Sequence, residues 1–257
     1  MPRLEAGGDA AFWKKVIRRT TLIFLIGLFL NWWPFMKWEE SSLVFRQWVD
    51  PNSPETGVRI PGVLQRIAIC YFFGAVIAYY LKPRKSFYAG LILLLVCWLL
   101  CYVGNPNDPY SLQGWFGTGI DKKILGVPHM YKGEGIAFDP EGLVSSISAI
   151  VQVIFGYIVG DYVQKKGKNF EMVCGLYATG AAMLVTGYCW DMVFPINKKI
   201  WTSSFTIYTS GLAIITIATM IYLIEFKNIK GGLTKFFDVF GKNALFVFAL
   251  SAFLPKG

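Results

Sequence analysis

Apolar residues gather in seven long runs, near 20–36, 63–81, 87–104, 142–163, 172–192, 203–226 and 236–254, with short polar or charged segments between them. A hydrocarbon core about 30 Å thick needs roughly 20 apolar residues in a helix, and most of these runs approach that length. Lipid offers no partner to open backbone groups, so each run is expected to be helical. The expected fold is all-α: a polytopic transmembrane helical bundle of about seven spans, with one long extracytoplasmic loop at 105–141. Residues 1–257 are expected to form a single transmembrane domain, in which 1–19 are a cytoplasmic amphipathic lead-in.

Composition removes the soluble alternative. The chain of 257 residues is 54% hydrophobic and 17% aromatic, and its mean hydropathy is +0.46. The net charge of +9 is not spread as a nucleic-acid surface would spread it. Basic residues sit in runs beside the span ends: Lys14, Lys15, Arg18 and Arg19; Lys82, Arg84 and Lys85; Lys165, Lys166 and Lys168; Lys227, Lys230 and Lys235. If the spans alternate, these runs share one side, which the positive-inside rule makes cytoplasmic. The opposite segments carry Glu39, Glu40, Asp50, Glu55, Asp108, Asp121, Glu134, Asp139 and Glu141. The expectation is an integral membrane protein, in a bacterial inner membrane, with a cytoplasmic N-terminus and contact with anionic lipid. An odd number of spans leaves the other terminus outside, and the abrupt end after Leu254 reads as that of a fragment. Cys70, Cys97, Cys101, Cys174 and Cys189 all fall inside expected spans without metal-ligand spacing to a histidine, so they read as packing residues and no metal is expected.

Polar groups at membrane depth are expensive, and they pair or serve a site. Those expected to approach the outer face are Arg59, Gln65, Arg66, Asp139, Glu141, Asn197, Lys198 and Asn243. Arg59 and Arg66 are about two helical turns apart and can share a face. Asp139 and Glu141 stand where the fourth span starts, placed to cap it and to meet its positive end. One reading has Arg66 paired with Asp139 or Glu141 to tie two spans together; the other is a polar pocket for a hydroxylated or amino substrate. Lys242 and Asn243 interrupt the last apolar run, Lys242 within reach of headgroups and Asn243 of a neighbouring helix. Trp201 and Lys198 read as an interfacial belt. His129 is the single histidine, and imidazole is the usual general base near neutral pH.

Several blocks together resemble heparan-alpha-glucosaminide N-acetyltransferase and its bacterial relatives. They are RIPGVLQRIAICYF at 59–72, HMY at 129–131, FDPEGLVSSISAI at 138–150, PINKKIWTSSF at 195–205 and GKNALFVF at 241–248. The resemblance implies a transmembrane acyltransferase that takes acetyl from acetyl-CoA on the cytoplasmic side and delivers it to an amino sugar or sugar hydroxyl across the membrane. It implies a substrate or cofactor pocket built from Arg59, Gln65, Arg66, Asp139, Glu141, Asn197, Lys198 and Asn243, membrane lipid as a partner, and a homodimer. It also implies a helical region ahead of the segment matching 12–36, carrying the catalytic base or acyl-carrying histidine, and further helices beyond 254. Nothing in residues 1–19 matches that region, and His129 matches a different, loop position, which leaves it a catalytic candidate in its own right. The alternative is a membrane transporter or sugar-lipid handling protein without covalent chemistry; charges near the span ends and the lack of paired repeats count against it.

Overall fold

A computed structural model describes residues 8–254 apart from Glu40 and Lys230. Residues 1–7 of the lead-in, Glu40 of the acidic set, Lys230 of the last basic run and the final residues 255–257 lie outside the described residues. Helix α1 (Gly8–Trp32) leads into two hairpins, β1 (Met36–Glu39) with β2 (Ser42–Phe45) and β3 (Val49–Asp50) with β4 (Ser53–Gly57). Then follow α2 (Val63–Gly104), α3 (Gly117–Leu125), a 3-10 turn (Val127–His129), α4 (Ser146–Lys166), α5 (Phe170–Asp191), α6 (Ser203–Ile221) with a π-helical turn (Tyr222–Phe226), α7 (Gly232–Lys242) and α8 (Ala244–Phe253).

The protein is mostly helical. Four helices are long and apolar enough to cross a membrane: α2, α4, α5 and Ser203–Phe226. A fifth is counted if the pair Thr234–Lys242 and Ala244–Phe253, bent by 81°, is one span. That is fewer than the seven expected. Helix α1 is not among them, because Lys14, Lys15, Arg18 and Arg19 occupy its first half. Residues 63–104, expected as two spans, form one 42-residue element. Straight, it would be about 63 Å long, roughly twice a bilayer core. It is not straight: Lys82 takes φ 58 and ψ 172, a region costly for any side chain, and Pro83 follows without an amide N–H. Ile77 and Leu93 both pack on the cluster of Cys70, Ala149, Ile150 and Ile154. A straight helix would hold those two about 24 Å apart, so the two arms fold back onto α4.

The expectation of an all-α fold is corrected at residues 36–57. The stretch is outside the apolar runs, and water can satisfy its edges. Turn formers at Asp50-Pro51-Asn52-Ser53 and cross-strand partners Lys37–Val44 and Trp38–Leu43 make antiparallel ribbons there. Span four begins at Ser146, later than expected, because the Gly142 N–H bonds the Asp139 carbonyl in a preceding turn. Helix α3 and the 3-10 turn give the loop 105–141 an ordered interior.

Helices α5 and α6 approach through glycine. A Cβ on Gly211 would come 2.8 Å from the Gly180 carbonyl oxygen, so both positions must stay small for the backbones to touch. The basic runs meet at one end of the bundle. The Tyr79 hydroxyl donates to Asp9 at 2.7 Å. Arg84 lines a groove with Lys165 and Lys166, and Lys168 pairs with Glu225 at 3.2 Å.

Candidate functional site

The site is assembled from the extended segment before α2, the start of α4 and the turns between. Asn31, in the last turn of α1, donates through Nδ2 to the carbonyls of Arg59 and Pro61, each at 2.9 Å. This fixes the backbone that aims Arg59. Pro61 precedes the first helical residue, Val63. Gly27 of α1 leaves room for Gln65, whose Oε1 would be 2.5 Å from a Cβ there.

Arg59 grips two carboxylates. Its Nε and Nη2 meet Asp139 Oδ2 and Oδ1 at 2.9 and 2.5 Å, and Nη2 meets Glu141 Oε2 at 2.5 Å. The fork geometry suits a bidentate carboxylate. Asp139 is buried and also accepts from the Tyr131 and Glu141 amides, each at 3.0 Å. The Tyr131 ring lies 4.8 Å from the guanidinium. Burial works against the Arg59 charge, but the Asp139 and Glu141 contacts outweigh it and raise the guanidinium above its ordinary value.

Arg66, expected to pair with Asp139 or Glu141, is held otherwise. Its Nη2 donates to the Pro140 carbonyl and the Ser145 hydroxyl. Its guanidinium lies 4.4 Å from the Trp201 ring centre. One turn of helix separates Arg66 from the entry segment, which brings it level with the 140–145 turn while Arg59 takes the acids. Trp201 is more than an interfacial residue. It sits at φ 55, in the left-handed region, and its Nε1 donates to Gln152 Oε1 at 3.2 Å. Asn197 supports that turn: its N–H donates to Thr202 Oγ1 at 3.0 Å, and its carbonyl accepts from the Thr202 N–H at 3.2 Å.

Buried donors remain without partners here. Arg66 Nε and Nη1 and Gln65 Nε2 are inaccessible, and no hydrogen bond reaches them among the described residues. Unmade buried donors are costly, so their presence beside a polar site is a feature to explain. Asp121 adds an acceptor of the same kind. Its Oδ1 takes the Leu143 and Val144 N–H groups at 3.0 and 3.4 Å, while Oδ2 has no partner. Burial pushes its carboxyl up to about 6, against the pull of those two amides. Sequence reasoning grouped Asp121 with ordinary loop acids. No local signal marked it, since Ile120, Lys122, Lys123 and Ile124 around it are all exposed.

His129 is buried in the same region. Its Nδ1 is 2.7 Å from the Val58 carbonyl, which assigns the proton to Nδ1, and the Trp48 ring packs against it at 4.7 Å, tilted by 39°. Lys198 is exposed. Asn243 is exposed at the α7–α8 break and donates to the Val239 carbonyl at 2.9 Å, within its own segment. The structure thus brings together Arg59, Asp139 and Glu141, with Arg66 and Ser145 beside them. It gives Asn197 a supporting place and leaves Lys198 and Asn243 without a contact to the cluster. No group of three or more His, Cys, Asp or Glu placed to hold a metal occurs among the described residues.

No family model matches the chain. Two curated relatives do. The mouse (Mus musculus) heparan-alpha-glucosaminide N-acetyltransferase is 25% identical over 243 residues, which cover 74% of this chain and 37% of the relative. The human (Homo sapiens) protein of the same name is 26% identical over 244 residues, covering 74% and 36%. The chain spans little more than a third of the length of these relatives. These matches make it a distant homologue of heparan-alpha-glucosaminide N-acetyltransferase over part of that protein's length.

Proposed function

We propose that this chain is the central part of a membrane acyltransferase that moves acetyl from acetyl-CoA, at the basic end of the bundle, to an amino sugar or sugar hydroxyl at the Arg59–Asp139 end. One observation carries the reading. Blocks far apart in sequence, at 59–66, 129–131, 139–145 and 201, converge on a single cluster with unpartnered buried donors. The same end of the bundle holds the single histidine.

Seven crossings are part of the proposal: α1, the two arms of α2, α4, α5, α6 and the bent α7–α8 pair. The meeting of the basic runs at one end supports a cytoplasmic placement of that end, in a bacterial inner membrane. A groove of about 530 Å³ opens there between Arg84, Phe87, Tyr88, Tyr162, Lys165 and Lys166. Asp161 lines it too and pairs with Lys165 at 2.7 Å, and Lys166 pairs with Glu171 at 2.5 Å. Arg84, without an ion pair among the described residues, stands beside aromatic rings there, a combination that supports contact with a phosphate-bearing purine such as coenzyme A.

Acetyl-CoA supplies an activated acyl carbonyl. At the far end Arg66 keeps two buried, unpaired N–H groups beside Ser145, donors of the kind that stabilise a developing oxyanion. The Nδ1 proton of His129 is held by Val58, which leaves Nε2 as a base for the acceptor amine or hydroxyl. Arg59, Asp139 and Glu141 hold the wall of the pocket. The test is transfer of labelled acetyl from acetyl-CoA to glucosamine by membranes containing the full-length protein. Acetylated glucosamine is expected, with loss of product in Arg66→Met and His129→Ala. Failure to bind acetyl-CoA, or accumulation of sugar in sealed vesicles without acetylated product, refutes the reading.

A further inference from the structure

The two ribbons enclose a polar cleft of about 250 Å³, outside the Arg59 cluster. Its floor is a cross-ribbon network. Lys37 Nζ meets Asp50 Oδ2 at 2.5 Å and Glu39 Oε2 at 3.4 Å, and Asn52 Nδ2 donates to Glu39 Oε1 at 2.8 Å. The pairing holds the Asp50 carboxyl below its ordinary value through the Lys37 hydrogen bond. Lys37 and Arg46 are matched by Glu39 and Asp50, so the lining has no net charge. Hydrogen-bonding capacity is left over. Among the described residues Arg46 uses only Nη1, toward the Asn31 carbonyl at 3.3 Å. The Gln47 side chain has no hydrogen bond among the described residues and is exposed. One wall is apolar and open: Phe45 is 54% exposed.

An open aromatic ring beside neutral, mixed donors and acceptors suits a ligand with many hydroxyls and an apolar C–H face. A polyphosphate would meet Glu39 and Asp50 without a surplus of cations. An acyl chain would strand the polar floor. The cleft also leads to the cluster already described. Gly57 lines it and lies against Pro128, 3.3 Å from where a Cβ would stand. Two residues on, Arg59 reaches Asp139, about 7 Å of extended chain away.

We infer that the cleft between the ribbons is a saccharide subsite, which holds a sugar unit of the acceptor remote from the unit that reacts. Its assignment to the acceptor rests on the acyltransferase reading; its affinity for a saccharide does not. The probe is a β-1,4-linked glucosamine trisaccharide, with glucosamine alone and inorganic phosphate as comparisons. Binding is measured by saturation-transfer NMR and calorimetry on the full chain in phospholipid nanodiscs, free of sugar-based detergent. The trisaccharide is expected to bind more tightly than glucosamine, and phosphate not to compete. Gln47→Ala and Phe45→Ala are each expected to weaken the trisaccharide about tenfold, roughly 1.4 kcal/mol, and to leave glucosamine unchanged. If Phe45→Ala loosens the ribbon, seen as a changed tryptophan spectrum, Gln47→Ala decides alone, since its side chain supports nothing else. No trisaccharide binding, unaltered binding in Gln47→Ala, or competition by phosphate overturns the inference. Saccharide binding with this variant pattern but no acetyl transfer by the full-length protein supports the subsite and refutes the acyltransferase reading alone.

Discussion

Asp139→Asn is the sharpest probe of the cluster, since it keeps shape and removes charge. The native carboxylate accepts from Arg59 Nε and the Tyr131 N–H on Oδ2, and from Arg59 Nη2 and the Glu141 N–H on Oδ1. Asparagine has one acceptor oxygen. Whichever way its amide turns, an NH₂ faces two donors, one of them the guanidinium. Removing one partner of a buried ion pair costs about 3–5 kcal/mol, and a stranded buried amide about 1–3 kcal/mol. Glu141 remains to hold part of the Arg59 charge, so a net loss of about 4 kcal/mol is expected. At roughly 2–4 °C per kcal/mol for a chain of this size, melting falls by about 8–16 °C. The assay is thermal unfolding in nanodiscs, followed by tryptophan fluorescence and size exclusion. Arg59→Lys, which keeps the charge and loses the fork, should fall by less. A melting point for Asp139→Asn within about 2 °C of the parent would refute the view that this ion pair ties the start of α4 to the entry of α2.

Asp121 predicts a pH signature. Its carboxyl is raised from 3.8 to about 6 by burial, so the native state keeps a proton that the unfolded state has lost between those values. Stability is therefore fullest below about pH 4, falls as pH rises toward 6 and levels off above, by about 3 kcal/mol in all. Asp121→Asn should flatten that slope in melting curves from pH 4 to 7, and parallel curves would refute it. Lys82→Gly should raise the melting point, since glycine tolerates φ 58 and ψ 172 at about 1–3 kcal/mol less strain; an unchanged or lower value would place the reversal elsewhere. Single cysteines in a cysteine-free background at Lys85 and Lys165 should react with a membrane-impermeant maleimide only from the cytoplasmic side, and one at Asn52 only from outside. Labelling of Lys85 and Asn52 positions from one side would overturn the orientation.

The long apolar runs were legible because lipid solvation demands length and little else, and the Lys82-Pro83-Arg84-Lys85 reversal was marked by its proline and charges. The ribbons were not. Strands such as Ser42–Phe45, exposed at every position, carry no alternation for a period-2 reading to find. The break at Asn243 was half-seen: Lys242 and Asn243 stood out as polar, but the apolar residues on both sides read as one span. In the site, residue types gave the members and not the pairing. Which arginine takes the acids depends on Asn31 fixing two carbonyls, a contact spanning 28 and 30 positions, and no local pattern encodes it. Asp121 was hidden because Lys122 and Lys123 beside it are exposed, so its neighbours advertised a solvated helix.

The Asn31 amide also makes α1 a mechanical lever. The helix begins beside the basic end, where Asp9 meets Tyr79, and finishes clamped to the backbone that aims Arg59. A slide along its axis by one residue, about 1.5 Å, would strain both 2.9 Å hydrogen bonds by which Asn31 holds the backbone carrying Arg59. One helix thereby joins the Asp9–Tyr79 contact at its start to the backbone of the Arg59–Asp139 pair at its end.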